Sequence, residues 1–329
     1  MAKTVSEVHS HLYHYTTAAG LQGIVESQQL RATNIAYLND AEEHTGFFDR
    51  RLPSLIEKAI TAAAKEICNI PAERSRFEAA GGIQEALRTA RSLSDTIKTS
   101  TLRFNSPYLA SFCTTLPQQH PDDGLLSQWR GYGSDGGYAI VFDTRGLEKL
   151  LEVESKKFHY QYLFWGDVEY YDQEPAYVAA QPETIEAEMA VQGAIRHFMR
   201  GGGAESLEPL FDPITKLSCS HKHRGFREEA EIRIVAIPTN GELLKLAQES
   251  GDRRPTKSLR FVMKNGLSVP CIMLFGPDAS GNSARLPISK VIVGPHPEKR
   301  KRQKAVQIML EQYEVDATVT VSDIPYIGR

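Results

Sequence analysis

From Glu229 to Ile234 charged and apolar side chains alternate, placing Glu229, Glu231 and Arg233 on one side and Ala230, Ile232 and Ile234 on the other, and the strand-like run continues to Ile237. A period of two is the signature of a strand with one face on a core. Such a strand needs a sheet around it and something to cover the sheet. The chain offers both. Strand-like runs are expected at 11–17, 29–32, 108–114, 137–143, 168–171, 259–263, 271–275, 290–293 and 317–321. Helical spacing is expected at 18–27, 125–132, from 147 onward, at 185–199, from 210 onward and at 298–313. Strands scattered among helices without regular alternation indicate an α+β fold.

From 42 to about 103 the pattern is helical and alanine-rich, broken at Ile70-Pro71 and Gly81-Gly82. Asn39-Asp40 with Glu43 reads as the cap that opens it. The 329 residues are expected to form a single domain, 1–329, carrying helical insertions at 42–103 and 175–217. A net charge of −3 does not make the whole surface a nucleic-acid magnet, since attraction to phosphates needs positive charge. The first ten residues lack an apolar stretch, and the apolar run at 269–275 is too short to cross a bilayer. Cys68, Cys113, Cys219 and Cys271 are widely spread, as in a reducing compartment. A cytoplasmic protein is expected.

Four boxes can carry chemistry. In the first, Leu12-Tyr13-His14-Tyr15-Thr16, a strand puts His14 and Thr16 on one face, where an imidazole and a hydroxyl suit the hydroxyls of a sugar. A satisfied structural histidine is the plainer reading. In the second, 127–138, Trp129 and Tyr132 are spaced for one helix face, with Tyr138 close behind. Their rings suit stacking on a flat heterocycle, or simply a core. The third runs from Lys222 to Arg233. Glu229 and Glu231 stacked on one strand face repel unless a cation such as Arg233 or a ligand separates them; a surface ladder is the alternative. Cys219, His221 and His223 alternate too, but match no standard zinc spacing. The fourth, Glu298 to Lys304, is basic enough to hold phosphate and ordinary enough to be a solvated helix face. A P-loop, a nucleophile elbow and a metalloprotease helix are absent from the sequence.

In this order and spacing the boxes resemble a widespread, poorly characterised bacterial family whose members look like divergent ADP-ribosyltransferases. The residues that carry the resemblance are Leu12 to Thr16; Leu38-Asn39-Asp40 with Glu43; Ser111-Phe112-Cys113; Trp129, Tyr132 and Gly137; Lys222-His223, Phe226, Glu229, Glu231 and Arg233; 290–295; and 322–326. The resemblance implies a split β-sheet core and a reaction on NAD as substrate, without a metal. It implies that His14, with Thr16, holds the ribose, and that Tyr132, or else Tyr138 or Trp129, stacks on nicotinamide. Glu231 would be the catalytic acidic residue, stabilising charge on the ribose, with Glu229 as its partner, and Arg233, Arg31 or Lys222 would hold the pyrophosphate. ADP-ribose would pass to an unknown protein or nucleic-acid acceptor, in a toxin or phage-defence setting. An NAD glycohydrolase and a catalytically inactive nucleotide- or protein-binding module are the alternatives. Neither membrane binding nor an oligomeric state is implied.

Overall fold

The computed structural model describes residues 4–38, 46–104, 106–114, 123–132, 136–171, 182–202, 207, 209–264, 266–276 and 284–325. The expected cap at Asn39-Asp40 lies outside these residues. The chain forms two compact units: Met1–Asn34, Pro107–Val168 and Gly225–Arg329 make the first, and Ile35–Ser106 and Glu169–Arg224 the second. The two expected insertions thus build a unit of their own rather than appendages on one domain. The physical reason is a separate core. The helices Leu52–Cys68, Gly82–Phe104, Pro182–Met199 and Phe211–Ser220 close Leu52, Ile56, Ile60, Ile97, Val191, Ile195, Ile214 and Leu217 onto one another. Pro71 starts the helix Pro71–Ala79, where its missing N–H is not needed. Among the described residues no helix is long and apolar enough to cross a membrane.

Twelve strands occur among the described residues: β1 His11–Thr16, β2 Leu30–Asn34, β3 Tyr108–Cys113, β4 Tyr138–Asp143, β5 Tyr160–Asp167, β6 Glu169–Tyr171, β7 His221–His223, β8 Glu231–Pro238, β9 Arg260–Lys264, β10 Leu267–Leu274, β11 Ile288–Val293 and β12 Thr318–Val321. In the second unit, β6 and β7 form a short parallel pair. The other ten make the sheet of the first unit, ordered β12-β11-β4-β1-β3-β2-β10-β9, with β8 and then β5 added to β3. All neighbours are antiparallel except β11 and β12. The fold is therefore α+β with a mixed, open sheet.

The pairings of β3 place the candidate site. One edge of β3 pairs with β8 along its whole length, from Tyr108 opposite Ala236 to Cys113 opposite Glu231. The other edge is shared. β1 meets it at one end through Tyr13 and Cys113, and β2 meets it at the other through Leu109 and Tyr108. Two strands on one edge cannot both continue alongside β3, so the sheet forks there. One arm runs through β1, β4, β11 and β12, the other through β2, β10 and β9.

One side of the sheet buries Leu12, Phe112, Ile140, Phe142, Ile232 and Ile234 against Leu21 and Val25 of the helix Ala18–Ser27, Leu147 and Leu151 of Thr144–Lys157, and Val306 and Leu310 of Lys299–Gln312. Thr17 and Asp143 cap the first two of these helices, accepting from the N–H groups of Gly20 and Gly146. The opposite side carries a smaller cluster of Tyr13, Tyr15, Cys113, Trp129, Ala139, Val141 and Ile292, to which the helix Leu126–Tyr132 contributes Trp129.

A buried ion pair ties the helix Thr144–Lys157 to the loop before β9, and the same carboxylate holds the start of β5 and the end of β10. Lys257 Nζ lies 2.7 Å from Glu154 Oε1, and both side chains are buried. Glu154 also accepts from the Tyr160 hydroxyl at 2.6 Å and from the Phe275 N–H at 3.2 Å. Lys257 sits 3.6 Å above the Phe158 ring. Burial, and then the Glu154 charge, drive the Tyr160 phenol far above its usual range, so it stays a donor.

Candidate functional site

His14 stands where β1 leaves β3. Its Nδ1 lies 2.9 Å from the Ser111 carbonyl. A carbonyl only accepts, so Nδ1 carries the proton and Nε2 presents a lone pair. Burial holds the His14 pKa below its ordinary value of 6.5, and the nearby Arg31 guanidinium adds to this against the opposing hydrogen bond. The imidazole is neutral at physiological pH and acts as an acceptor through Nε2. Because its folded pKa is depressed, protonation favours the unfolded chain: stability is full above about pH 6.5 and declines as pH falls below it. An NMR titration is expected to keep His14 in the Nδ1–H form at pH 6. A His14 resonance that titrates at or above 6.5 contradicts this.

Ser111 connects His14 to the other strand edge, because its partner on β8 is Arg233. Arg233 and Glu231 form a forked pair, Nε to Oε1 at 2.8 Å and Nη2 to Oε2 at 3.0 Å, and both side chains are buried. Their positions on one face, two residues apart on β8, put guanidinium and carboxylate side by side. In strict register it is Tyr13, through Cys113, that shares the Glu231 face, and not His14. The imidazole reaches the Ser111 carbonyl because β1 and β3 touch only at the Tyr13–Cys113 bridge before they separate.

Glu229 does not belong to this face. The expected strand began two residues too early. Residues Arg224–Glu229 form a 3-10 turn, and Ala230 has a φ of 41°, in the left-handed region, which breaks the alternation before β8 starts. The Ala230 carbonyl accepts from the N–H and hydroxyl of Thr114 at the end of β3, which anchors the kink. Glu229 is half-buried on the turn, so the stack of two carboxylates does not form.

The aromatic candidates separate by burial. Trp129 is 1% exposed, edge-on to Tyr15, with its indole N–H donated to the Asp123 carbonyl at 2.9 Å: it is a core residue. Tyr138 is buried opposite Thr16 on β4. Tyr132, at the end of its helix, is 44% exposed and so is the accessible ring. Thr16 is half-buried and tight against Gly20, where a Cβ would come within 2.0 Å of its hydroxyl. Arg31 is exposed on β2, on the same sheet face as Ser111 and Arg233, and makes no ion pair with a described residue.

Residues 128–234 match a family described as Protein of unknown function (DUF2971). No curated protein and no solved structure matches the chain. The match covers about a third of the sequence. It takes in Trp129, Tyr132, Tyr138, Lys222, Glu229, Glu231 and Arg233 and leaves out His14, Thr16 and Arg31.

Lys222 lies in the second unit, buried in β7. Cys219, His221 and His223 do not alternate along one strand: Cys219 ends a helix, and His221 is buried with Nδ1 donating to the Leu217 carbonyl. Among the described residues no group of three or more His, Cys, Asp or Glu is placed to hold a metal. The basic run at 299–304 is engaged locally, Lys299 with Asp323 and Lys301 with Glu298, as a solvated helix face would be. Ser111 figures in the sequence only as part of the resemblance and not as a site residue, because its contribution is a backbone carbonyl, which leaves no side-chain signal.

Proposed function

We propose that the fork beside β3 binds NAD and that the protein cleaves its nicotinamide–ribose bond, passing ADP-ribose to a macromolecular acceptor. The observation that carries this reading is the neutral His14 in the fork, linked through Ser111 to the Glu231–Arg233 pair on β8. His14 Nε2 accepts a hydrogen bond from a ribose hydroxyl. Arg31 supplies uncompensated positive charge for the pyrophosphate, and Tyr132 offers a ring for nicotinamide. Breaking the glycosidic bond leaves positive charge on the ribose, as in glycoside hydrolysis. A carboxylate held in one orientation stabilises that charge at no cost of reorganisation. Glu231 is such a carboxylate, with Arg233 fixing it.

A transferase and a glycohydrolase differ only in whether a macromolecule or water attacks. Incubation with NAD, alone and with cell lysate, is expected to release nicotinamide, and mass spectrometry of the lysate to show ADP-ribosylated products. Nicotinamide without modified macromolecules makes the protein a glycohydrolase. A second reading, a nucleotide-binding module without turnover, is favoured by the engagement of both Glu231 oxygens by Arg233. It requires calorimetric NAD binding with no nicotinamide release. Tyr132→Ala is expected to raise the KM for NAD about tenfold, the worth of a modest aromatic contact, while stability stays within about 0.5 kcal/mol because the site is on the surface. An unchanged KM removes Tyr132 from the site.

A further inference from the structure

Arg31 has a second arginine on its own face of the sheet. Met273 and Cys271 of β10 stand opposite Arg31 and Thr33 of β2, and Arg260 of β9 stands opposite Cys271. Residues opposite one another on adjacent strands share a face, as do residues two apart on one strand. Arg31, Cys271 and Arg260 therefore lie on one face, the face that carries Ser111 and Arg233 at the fork. Two strand spacings, about 10 Å, separate Arg260 from Arg31 across the sheet. Both arginines are exposed, and neither makes an ion pair with a described residue. Cys271, between them, is buried. Burial pushes its thiol up, and the Arg31 and Arg260 charges pull against that, so both guanidiniums stand near it. A thiol that stays protonated offers them no counter-charge. Two like charges held over a neutral residue repel, and an anion lying across both removes the repulsion.

We infer that Arg260 joins Arg31 in a two-pronged clamp for a diphosphate, and that this clamp makes the fork select dinucleotides over mononucleotides. The clamp rests on the NAD reading for its ligand, and it adds a residue to that site. A guanidinium forks onto two oxygens of one phosphate. The linked phosphates of NAD carry more charge than one such cation balances, and the second arginine balances the rest. Nicotinamide mononucleotide contains the same bond to be broken but a single phosphate, so it engages one prong alone. Arg260 contributes to binding and stands apart from Glu231, so its loss is expected in the KM for NAD and not in kcat.

The test titrates the full chain calorimetrically with inorganic pyrophosphate and with orthophosphate. Pyrophosphate is expected to bind at least about tenfold more tightly, the usual worth of one more charge-assisted contact. Arg260→Gln is expected to remove that advantage with no loss of melting temperature, since the side chain is exposed. Arg260→Lys is expected to restore part of it. Arg300→Gln, which removes an exposed cation of the helix Lys299–Gln312, is expected to leave both affinities unchanged. No binding of pyrophosphate, equal affinity for the two anions, an Arg260→Gln variant that binds like the parent, or an equal loss in Arg300→Gln overturns the proposal. Turnover keeps its failure apart from that of the NAD reading. If NAD is cleaved and Arg260→Gln leaves the preference for NAD over nicotinamide mononucleotide unchanged, the clamp falls and cleavage stands. If pyrophosphate binding depends on Arg260 but no nicotinamide is released, cleavage falls and the diphosphate clamp stands.

Discussion

Glu231→Gln is expected to lower nicotinamide release from NAD by about 10²- to 10³-fold, the usual loss when one positioned electrostatic group is removed from a reaction centre. The substitution also strips a buried guanidinium of its counter-charge, and breaking one side of a buried pair costs roughly 3–5 kcal/mol. Rate and stability must therefore be separated. Arg233→Gln provides the comparison: it breaks the same pair from the other side, so its loss of stability is similar, but the carboxylate survives. Assayed well below both melting temperatures, the Arg233 variant is expected to keep a measurable fraction of activity while the Glu231 variant keeps close to none. Equal losses in the two variants mean that the pair is only scaffold. Near-normal release by Glu231→Gln ends the assignment.

Lys257→Met is expected to destabilise the first unit by about 3–5 kcal/mol, because Glu154 is left as a buried carboxylate without its cation. The Tyr160 hydroxyl and the Phe275 N–H still serve it but carry no net charge. Adding Glu154→Gln to the same chain removes the stranded charge and keeps an oxygen for those donors, so the double variant is expected to be more stable than the single one. Chemical denaturation of the three proteins checks both statements. A double variant less stable than Lys257→Met shows that the lost lysine acts through packing on Phe158 and not through charge.

Local periodicity made most of the first unit legible. β1, β3, β4 and β11 follow β-branched and aromatic runs, and Ala18–Ser27 and Lys299–Gln312 follow helical spacing. β5 escaped because Tyr160, Tyr162, Phe164 and Trp165 put large rings on both faces, and a strand half-buried on either side has no alternation to read. The start of β8 was misplaced because an alanine at positive φ is invisible in a polar/apolar pattern. That one residue moves Glu229 from the sheet to a turn. At the candidate site the closing of Arg233 on Glu231 was readable, because the two stand two residues apart on one strand face. That His14 meets a backbone carbonyl was not, because it depends on strand pairings far apart in sequence. The helical segments at 42–103 and 175–217 were expected as two insertions on a single domain. Their shared core rests on matching apolar faces, for example Ile56 and Ile60 with Val191 and Ile195, that no single window contains.

The pairing of β3 with β8 has a consequence during synthesis. One rim of β3 finds its partner only when Glu231 to Ala236 have left the ribosome, after the whole second unit has been made. Until then Leu109, Ala110 and Phe112 belong to a half-zipped ribbon whose amides solicit any passing strand. Late closure of non-local ladders is slow and aggregation-prone. Nascent chains halted between 114 and 230 are thus the ones that most need a chaperone, and expression in cells short of such helpers should yield inclusion bodies rather than stable fragments.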